Sequence, residues 1–164
     1  LDAMPPFLGG GVMISTVTME KSTCAGLPAK FEAGTPPIAQ AIGLGAALDY
    51  VSGVGLPGIA GHENDLLNYA TQQLASIDGL RIIGTAPSKT SVISFTMDCA
   101  HPHDISTIID RAGVCVRAGH HCAQPLMERM GVPATTRASF GMYNTREEAD
   151  TLVAALQSVQ ELFG

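Results

Sequence analysis

The hydrophobic pattern changes period near residue 79, and that change limits what the chain can fold into. Before it, apolar residues recur at helical spacing. Ile38, Ile42, Leu48 and Val51 fall within 38–53, with Pro36 and Pro37 ahead and Gly53 behind. Ile59, Leu66, Leu67, Ala70 and Leu74 form a stripe within 56–78, which Pro57 opens and Gly79 closes. Beyond that point short strand-like runs at 80–83, 91–96, 114–117 and 136–142 interleave with helical patterns at 103–112, 125–130 and 146–162. Asn144 or Thr145 is placed to cap the last helix, with Glu147 and Glu148 in its first turn, where the helix dipole favours them. Leu152, Val153, Leu156, Val159 and Leu162 predict its buried face. The mixture predicts a compact α+β unit over 80–164, an antiparallel sheet covered by helices, with a linking helix over 56–79.

Residues 1–55 read differently. Pro5 and Pro6, Gly9 to Gly11, and Gly34 to Pro37 break the chain on both sides of one predicted strand at 12–19. A single strand needs neighbours, so this stretch is expected to be an incomplete piece of a larger α/β domain. The helix at 38–53 is apolar on most of its surface and is therefore expected to be buried on most sides. The opening Leu1-Asp2-Ala3-Met4-Pro5-Pro6 reads as the middle of a loop, and the chain is expected to be part of a longer protein. These residues show neither the basic start nor the apolar run of a signal peptide.

The chain is 46% hydrophobic and only 15% charged, enough apolar matter for a sizeable core. Its net charge of −6 argues against nucleic acid and against an anionic membrane surface. No apolar run approaches the roughly 20 residues that span a bilayer. Cys24, Cys99, Cys115 and Cys122 form no CxxC pair. A reducing cytosol is the expected setting, with the first three cysteines acting as small hydrophobes.

The densest chemistry lies in Arg117-Ala118-Gly119-His120-His121-Cys122. A thiol near positive charge becomes a better nucleophile, and loops after strand ends are where such groups are commonly mounted. Zinc is the rival reading, but three consecutive residues rarely converge on one ion, so no metal is expected. A glycine turn with a buried thiol and surface histidines is the plain alternative. Arg137 sits in an apolar strand, where a carboxylate partner would justify its burial; a strand-edge arginine with its head in water is the alternative. Gly34 and Thr35 precede a helix start and suit either a phosphate or an ordinary N-cap, the cap being favoured on chemistry alone. His101-Pro102-His103-Asp104 reads as a loop entering a helix, with Asp104 in the first turn.

These residues carry a resemblance. Arg117 to Cys122 is similar to the RxGHHC segment around the catalytic cysteine of group II (SufS-type) cysteine desulfurases, in the class V aminotransferase family. Phe31-Glu32-Ala33-Gly34-Thr35-Pro36 resembles that family's FEAGTP segment. Met4-Pro5-Pro6, Gly9 to Gly11, Arg137-Ala138-Ser139 and Tyr143-Asn144-Thr145 also fit in order. The resemblance implies the C-terminal portion of a pyridoxal-phosphate enzyme of fold type I: a homodimer that takes sulfur from L-cysteine and leaves alanine. Cys122 matches the thiolate that becomes a persulfide, and Arg137 the arginine that holds the substrate carboxylate. Arg117 matches an arginine beside the sulfur-transfer site, and Thr35, with Gly34, the contact to the cofactor phosphate. His103 resembles a position that meets a zinc-carrying (SufU-like) sulfur acceptor; other members use a zinc-free (SufE-like) one. The family's Schiff-base lysine lies upstream of the Met-Pro-Pro segment, and Lys21, Lys30 and Lys89 do not match its context. The chain alone is therefore expected to be inactive. A selenocysteine lyase and a non-catalytic domain that docks a sulfur acceptor are the alternatives.

Overall fold

The computed structural model describes residues 1–164, which divide into two compact units, Leu1–Gly53 and Val54–Gly164. In the first unit the predicted strand is β1 (Ile14–Val17), and it finds its neighbour locally. It pairs antiparallel with β2 (Ser22–Cys24), which the sequence pattern did not show. Met13 is buried beneath this hairpin, its carbonyl accepting from the Ala25 N–H. A 3-10 turn at Ala29–Phe31 leads into α1 (Ile38–Val54).

Helix α1 forms where predicted but not in the predicted environment. None of its residues is buried; Ile38, Ile42, Leu44, Leu48 and Tyr50 are all exposed. An all-round apolar helix needs neighbours on several sides, and the unit Leu1–Gly53 offers α1 only a two-stranded hairpin and a 3-10 turn. Cys24 corrects a second expectation: it lies exposed on the β2 edge rather than packed as a small hydrophobe.

The second unit begins with α2 (Leu56–Ala75), whose Leu66, Leu67, Ala70 and Leu74 are buried as the stripe predicts. Strands β3 (Leu80–Ile83), β4 (Val92–Met97), β5 (Arg117–Gly119) and β6 (Thr135–Ser139) make one antiparallel sheet in the order β3-β4-β6-β5. Helices α3 (Pro102–Asp110), α4 (Gln124–Met130) and α5 (Arg146–Phe163) complete the unit. Along β4, Ile93, Phe95 and Met97 are buried while Val92, Ser94 and Thr96 are half-buried. That alternation is the signature of a sheet with a core on one face. The core face meets α2, α3 and α5 through Ile105, Ile109, Leu152, Leu156 and Val159.

Two local differences follow from the packing. The third strand starts at Arg117, not Val114. Gly113 (φ 77°) turns the chain out of α3, and the Val114 N–H returns to the Ile109 carbonyl, so 114–116 is an exit loop. Cys115 is consequently exposed and lines a cleft with Val116, Phe140, Asn144 and Glu148, not a strand interior. Leu162, expected on the buried face of α5, is exposed, because α5 outruns α2: Gln160 Nε2 already donates to the Asp78 carbonyl beyond the end of α2.

Thr145 rather than Asn144 caps α5. Its hydroxyl accepts from the Glu148 N–H, and the Glu148 carboxylate accepts from the Thr145 N–H at 2.9 Å, a reciprocal capping box. Leu156→Ala is expected to cost about 3 kcal/mol, because its fully buried site has little room to collapse. Thr145→Ala is expected to cost about 1 kcal/mol. Urea unfolding midpoints of the variants, taken at constant slope, measure both.

Candidate active site

The site grows out of β6. Its two faces alternate, so Thr136 and Ala138 enter the core while Thr135 and Arg137 lie on the other face. Register then sets the neighbours. Arg137 stands opposite Ser94 on one side and opposite Arg117 on the other; Thr135 stands opposite Gly119. Two arginines directly across a strand pair repel, an arrangement that costs stability unless an anion lies between them. Arg137 is half-buried, and its Nε is buried without a hydrogen-bond partner. A buried guanidinium nitrogen left unpaired is costly and is satisfied by an acceptor such as a carboxylate.

Strand β5 ends at Gly119, whose φ of 125° lets the chain reverse. The reversal carries His120, His121 and Cys122 into the connection before α4. His121 and Cys122 take successive left-handed backbone conformations, φ 56° and 57°. For residues with a Cβ this costs on the order of 1 kcal/mol each, strain that accumulates at functional loops. Cys122 is exposed, and its Sγ lies 3.7 Å from Arg117 Nη2, a donor contact from the guanidinium to sulfur. Arg117, His120, His121, Cys122, Gln124 and Pro125 line an open cleft around it.

His121 turns inward instead. Its Nε2 lies 2.8 Å from Thr135 Oγ1 and 3.1 Å from the Thr135 carbonyl oxygen. Its Nδ1 is buried without a partner. Burial lowers its pKa below the usual histidine value. The bond to the Thr135 carbonyl opposes that shift, and the nearby Arg137, Arg117 and His120 reinforce it.

The other predicted residues lie apart from this cluster. His103 is exposed in the first turn of α3, its ring stacked on His101 with centroids 5.8 Å apart. His101 caps that helix, its Nδ1 accepting from the His103 N–H. Gly34 and Thr35 lie in the first unit. Gly34 donates its N–H to the Gly11 carbonyl at 2.8 Å, and Thr35 is exposed. Thr35 is not the N-cap of α1: Pro36 and Pro37 separate it from Ile38, and neither proline has an N–H to offer a phosphate. No three His, Cys, Asp or Glu side chains converge as a ligand set. The residues that sequence reasoning missed are Thr135, as the partner of His121, and Ser94, opposite Arg137. A threonine inside an apolar strand was the signal available for the first.

With this geometry in place, comparison with known proteins assigns the family. The aminotransferase class-V family matches residues 1–152, and the chain belongs to it. A probable cysteine desulfurase of Streptomyces coelicolor is 53% identical over 166 residues, covering 100% of this chain and 40% of that protein. The cysteine desulfurase of Haloferax volcanii is 49% identical over 164 residues, covering 99% of this chain and 38% of that protein. Among solved structures, the cysteine desulfurase CsdA of Escherichia coli, in its S-sulfonic acid form, superposes with a TM-score of 0.83 at 37% identity, covering 100% of this chain and 41% of that one. The apo cysteine desulfurase of Thermococcus onnurineus superposes at 0.79 with 37% identity, covering 96% and 39%. The expected fold class holds: the α+β architecture is that of the fold type I pyridoxal-phosphate cysteine desulfurases. The chain spans about two fifths of the length of these relatives.

The histidine provides a test of the geometry that needs no substrate. Folding favours neutral His121, whereas the unfolded chain takes up a proton near pH 6.5, so stability falls as pH drops below about 6.5. In His121→Gln this acid-side loss is expected to be shallower, read from unfolding midpoints across the pH range.

Proposed function

We propose that this chain is the part of a group II (SufS-type) cysteine desulfurase that carries the sulfur-accepting cysteine. In this reading the full-length homodimer takes sulfur from L-cysteine and releases L-alanine. It holds the sulfur as a persulfide on Cys122 and passes it to an acceptor protein for iron–sulfur cluster assembly in the cytoplasm. The observation that carries the reading is the exposed Cys122 thiol beside Arg117, on the loop joining β5 to α4, with β5 paired to the strand that bears Arg137.

Each residue has a chemical part. Arg137 binds the substrate carboxylate, which satisfies its unpaired Nε and relieves the repulsion from Arg117. Arg117 stabilises negative charge on the sulfur being transferred. The Cys122 thiolate attacks the substrate sulfur, the C–S bond breaks, and its electron pair stays with carbon. That carbon takes a proton and becomes the methyl group of alanine, while Cys122 keeps the sulfur as Cys–S–S⁻. Pyridoxal phosphate supplies the electron sink when bound. Of this chain, Thr35 is the proposed contact to its phosphate, supported by an exposed threonine beside the glycine turn. His103, exposed at the start of α3, is the proposed contact for a SufU-like acceptor. Residues 1–55 are read as part of the cofactor domain, 56–79 as the link and 80–164 as the small domain. The uncovered apolar surface of α1 supports the first of these assignments, since a surface of that kind calls for a partner.

In the full-length enzyme given cysteine, alkylation and peptide mapping are expected to find the extra sulfur on Cys122, and Cys122→Ala is expected to abolish transfer with the cofactor retained. Sulfur on another cysteine overturns the reading. A rate far higher on selenocysteine than on cysteine favours a selenocysteine lyase, and acceptor binding without turnover favours a docking domain. Arg137→Ala is expected to weaken cysteine binding by several kcal/mol while cofactor binding holds; the cysteine KM and cofactor titration measure the two separately. The isolated chain mixed with pyridoxal phosphate and borohydride is expected to stay unlabelled at Lys21, Lys30 and Lys89, as peptide mass spectrometry reports.

A further inference from the structure

We propose that His121 is a positioning residue: as a neutral imidazole hydrogen-bonded to Thr135, it pegs the Cys122 loop to β6 and so holds the sulfur beside Arg117. The inference rests on the reading of Cys122 as the sulfur carrier, and it concerns a residue that reading leaves without a part.

The geometry closes a hook. Gly119 is the register partner of Thr135, and the chain reverses directly after it. Two residues later the His121 ring returns to that same Thr135, reaching both its hydroxyl and its carbonyl. Thr135 is fully buried and held within β6, so the anchor point is fixed by the sheet and not by the loop. A carbonyl oxygen can only accept, so Nε2 carries the proton. Nδ1 is then a lone pair, buried and unpartnered. Protonating it would place a second N–H where nothing accepts it, with Arg117, Arg137 and His120 nearby, so the peg works in the neutral form.

The hook also accounts for the strain. His121 and Cys122 both hold left-handed conformations that a free loop would leave. The side chain of the first of these two residues is the one tied to β6. The loop's other hydrogen bonds are local, from the Ala123 N–H to the His120 carbonyl, from the Leu126 and Met127 N–H groups to the Ala123 carbonyl, and from Arg117 to Cys122 Sγ. Releasing His121 lets both residues relax. Cys122 then leaves Arg117, while Arg137, held in β6, keeps its place. His121 is therefore expected to govern the rate at which Cys122 takes sulfur and not the affinity for the amino acid.

The test uses the full-length protein with cofactor bound. His121→Leu keeps bulk without the bond. His121→Gln places an amide N–H where Nε2 stood. Thr135→Val keeps the volume of the buried residue and removes only its hydroxyl. Without substrate, amide exchange in the peptide 119–126 of His121→Leu is expected to quicken by about tenfold or more, with β4 peptides unchanged. With substrate, single-turnover persulfide formation is expected to slow by about tenfold or more, with the KM for cysteine within about twofold. His121→Gln is expected to recover most of both effects, and Thr135→Val to show a smaller loss in the same direction. Unchanged loop exchange in both His121→Leu and Thr135→Val overturns the proposal, as does His121→Gln behaving like His121→Leu. A KM that rises as the rate falls shows that His121 contacts substrate instead. If the unsubstituted protein puts no sulfur on Cys122, the reading of function fails, while the exchange data still decide whether the peg exists.

Discussion

Strand β6 is the constraint on which the second unit depends. It lies between β4 and β5, and the pleat gives it two duties at once. Thr136 and Ala138 face the helices and are buried with the core, while Thr135 and Arg137 face the other way. The side chains of the candidate site are therefore positioned by the same backbone hydrogen bonds that position the hydrophobic ones. A slip of one residue would send Arg137 into the core and Thr136 out of it, so the core polices the register of the site.

Much of the cost of this arrangement is gathered near the β5–β6 pair, with Thr71 Oγ1 of α2 the one buried polar side-chain atom left unpaired elsewhere. Arg117 opposes Arg137, Arg137 Nε and His121 Nδ1 are buried unpaired, and two successive residues are held left-handed. The helices show the opposite economy. Tyr69 donates to Asp150, Arg146 meets Asp65, and Thr145 and Glu148 cap each other. Local consistency in most of the scaffold, with unrelieved groups on the Cys122 loop and the adjoining strand β6, fits a packed core that holds a binding site open for an anion.

The first unit has the reverse character. Its hairpin buries Met13 but little else, and α1 presents apolar side chains on every side. The chain spans about two fifths of its relatives' length, and a helix of this composition makes sense as an element surrounded by other chain.

Period, punctuation and local chemistry were enough to read the helices, the β3 and β4 pairing partners as strands, the α5 cap region and the RxGHHC and FEAGTP segments. These are local properties: a 3.6-residue or two-residue repeat, a proline, a glycine, a run of named side chains. The start of β5 was not legible, because Val114 and Val116 alternate as a strand would, and only the return of the Val114 N–H to Ile109 makes them a loop. Nor was the exposure of Cys115 and Leu162, which depends on where neighbouring elements stop. The sequence by itself singled out Cys122, Arg117 and Arg137 as the candidate residues. Only the tertiary structure decided that Arg117 faces Arg137 and that His121 turns inward to Thr135, because strand register joins residues far apart in sequence and no local pattern encodes it.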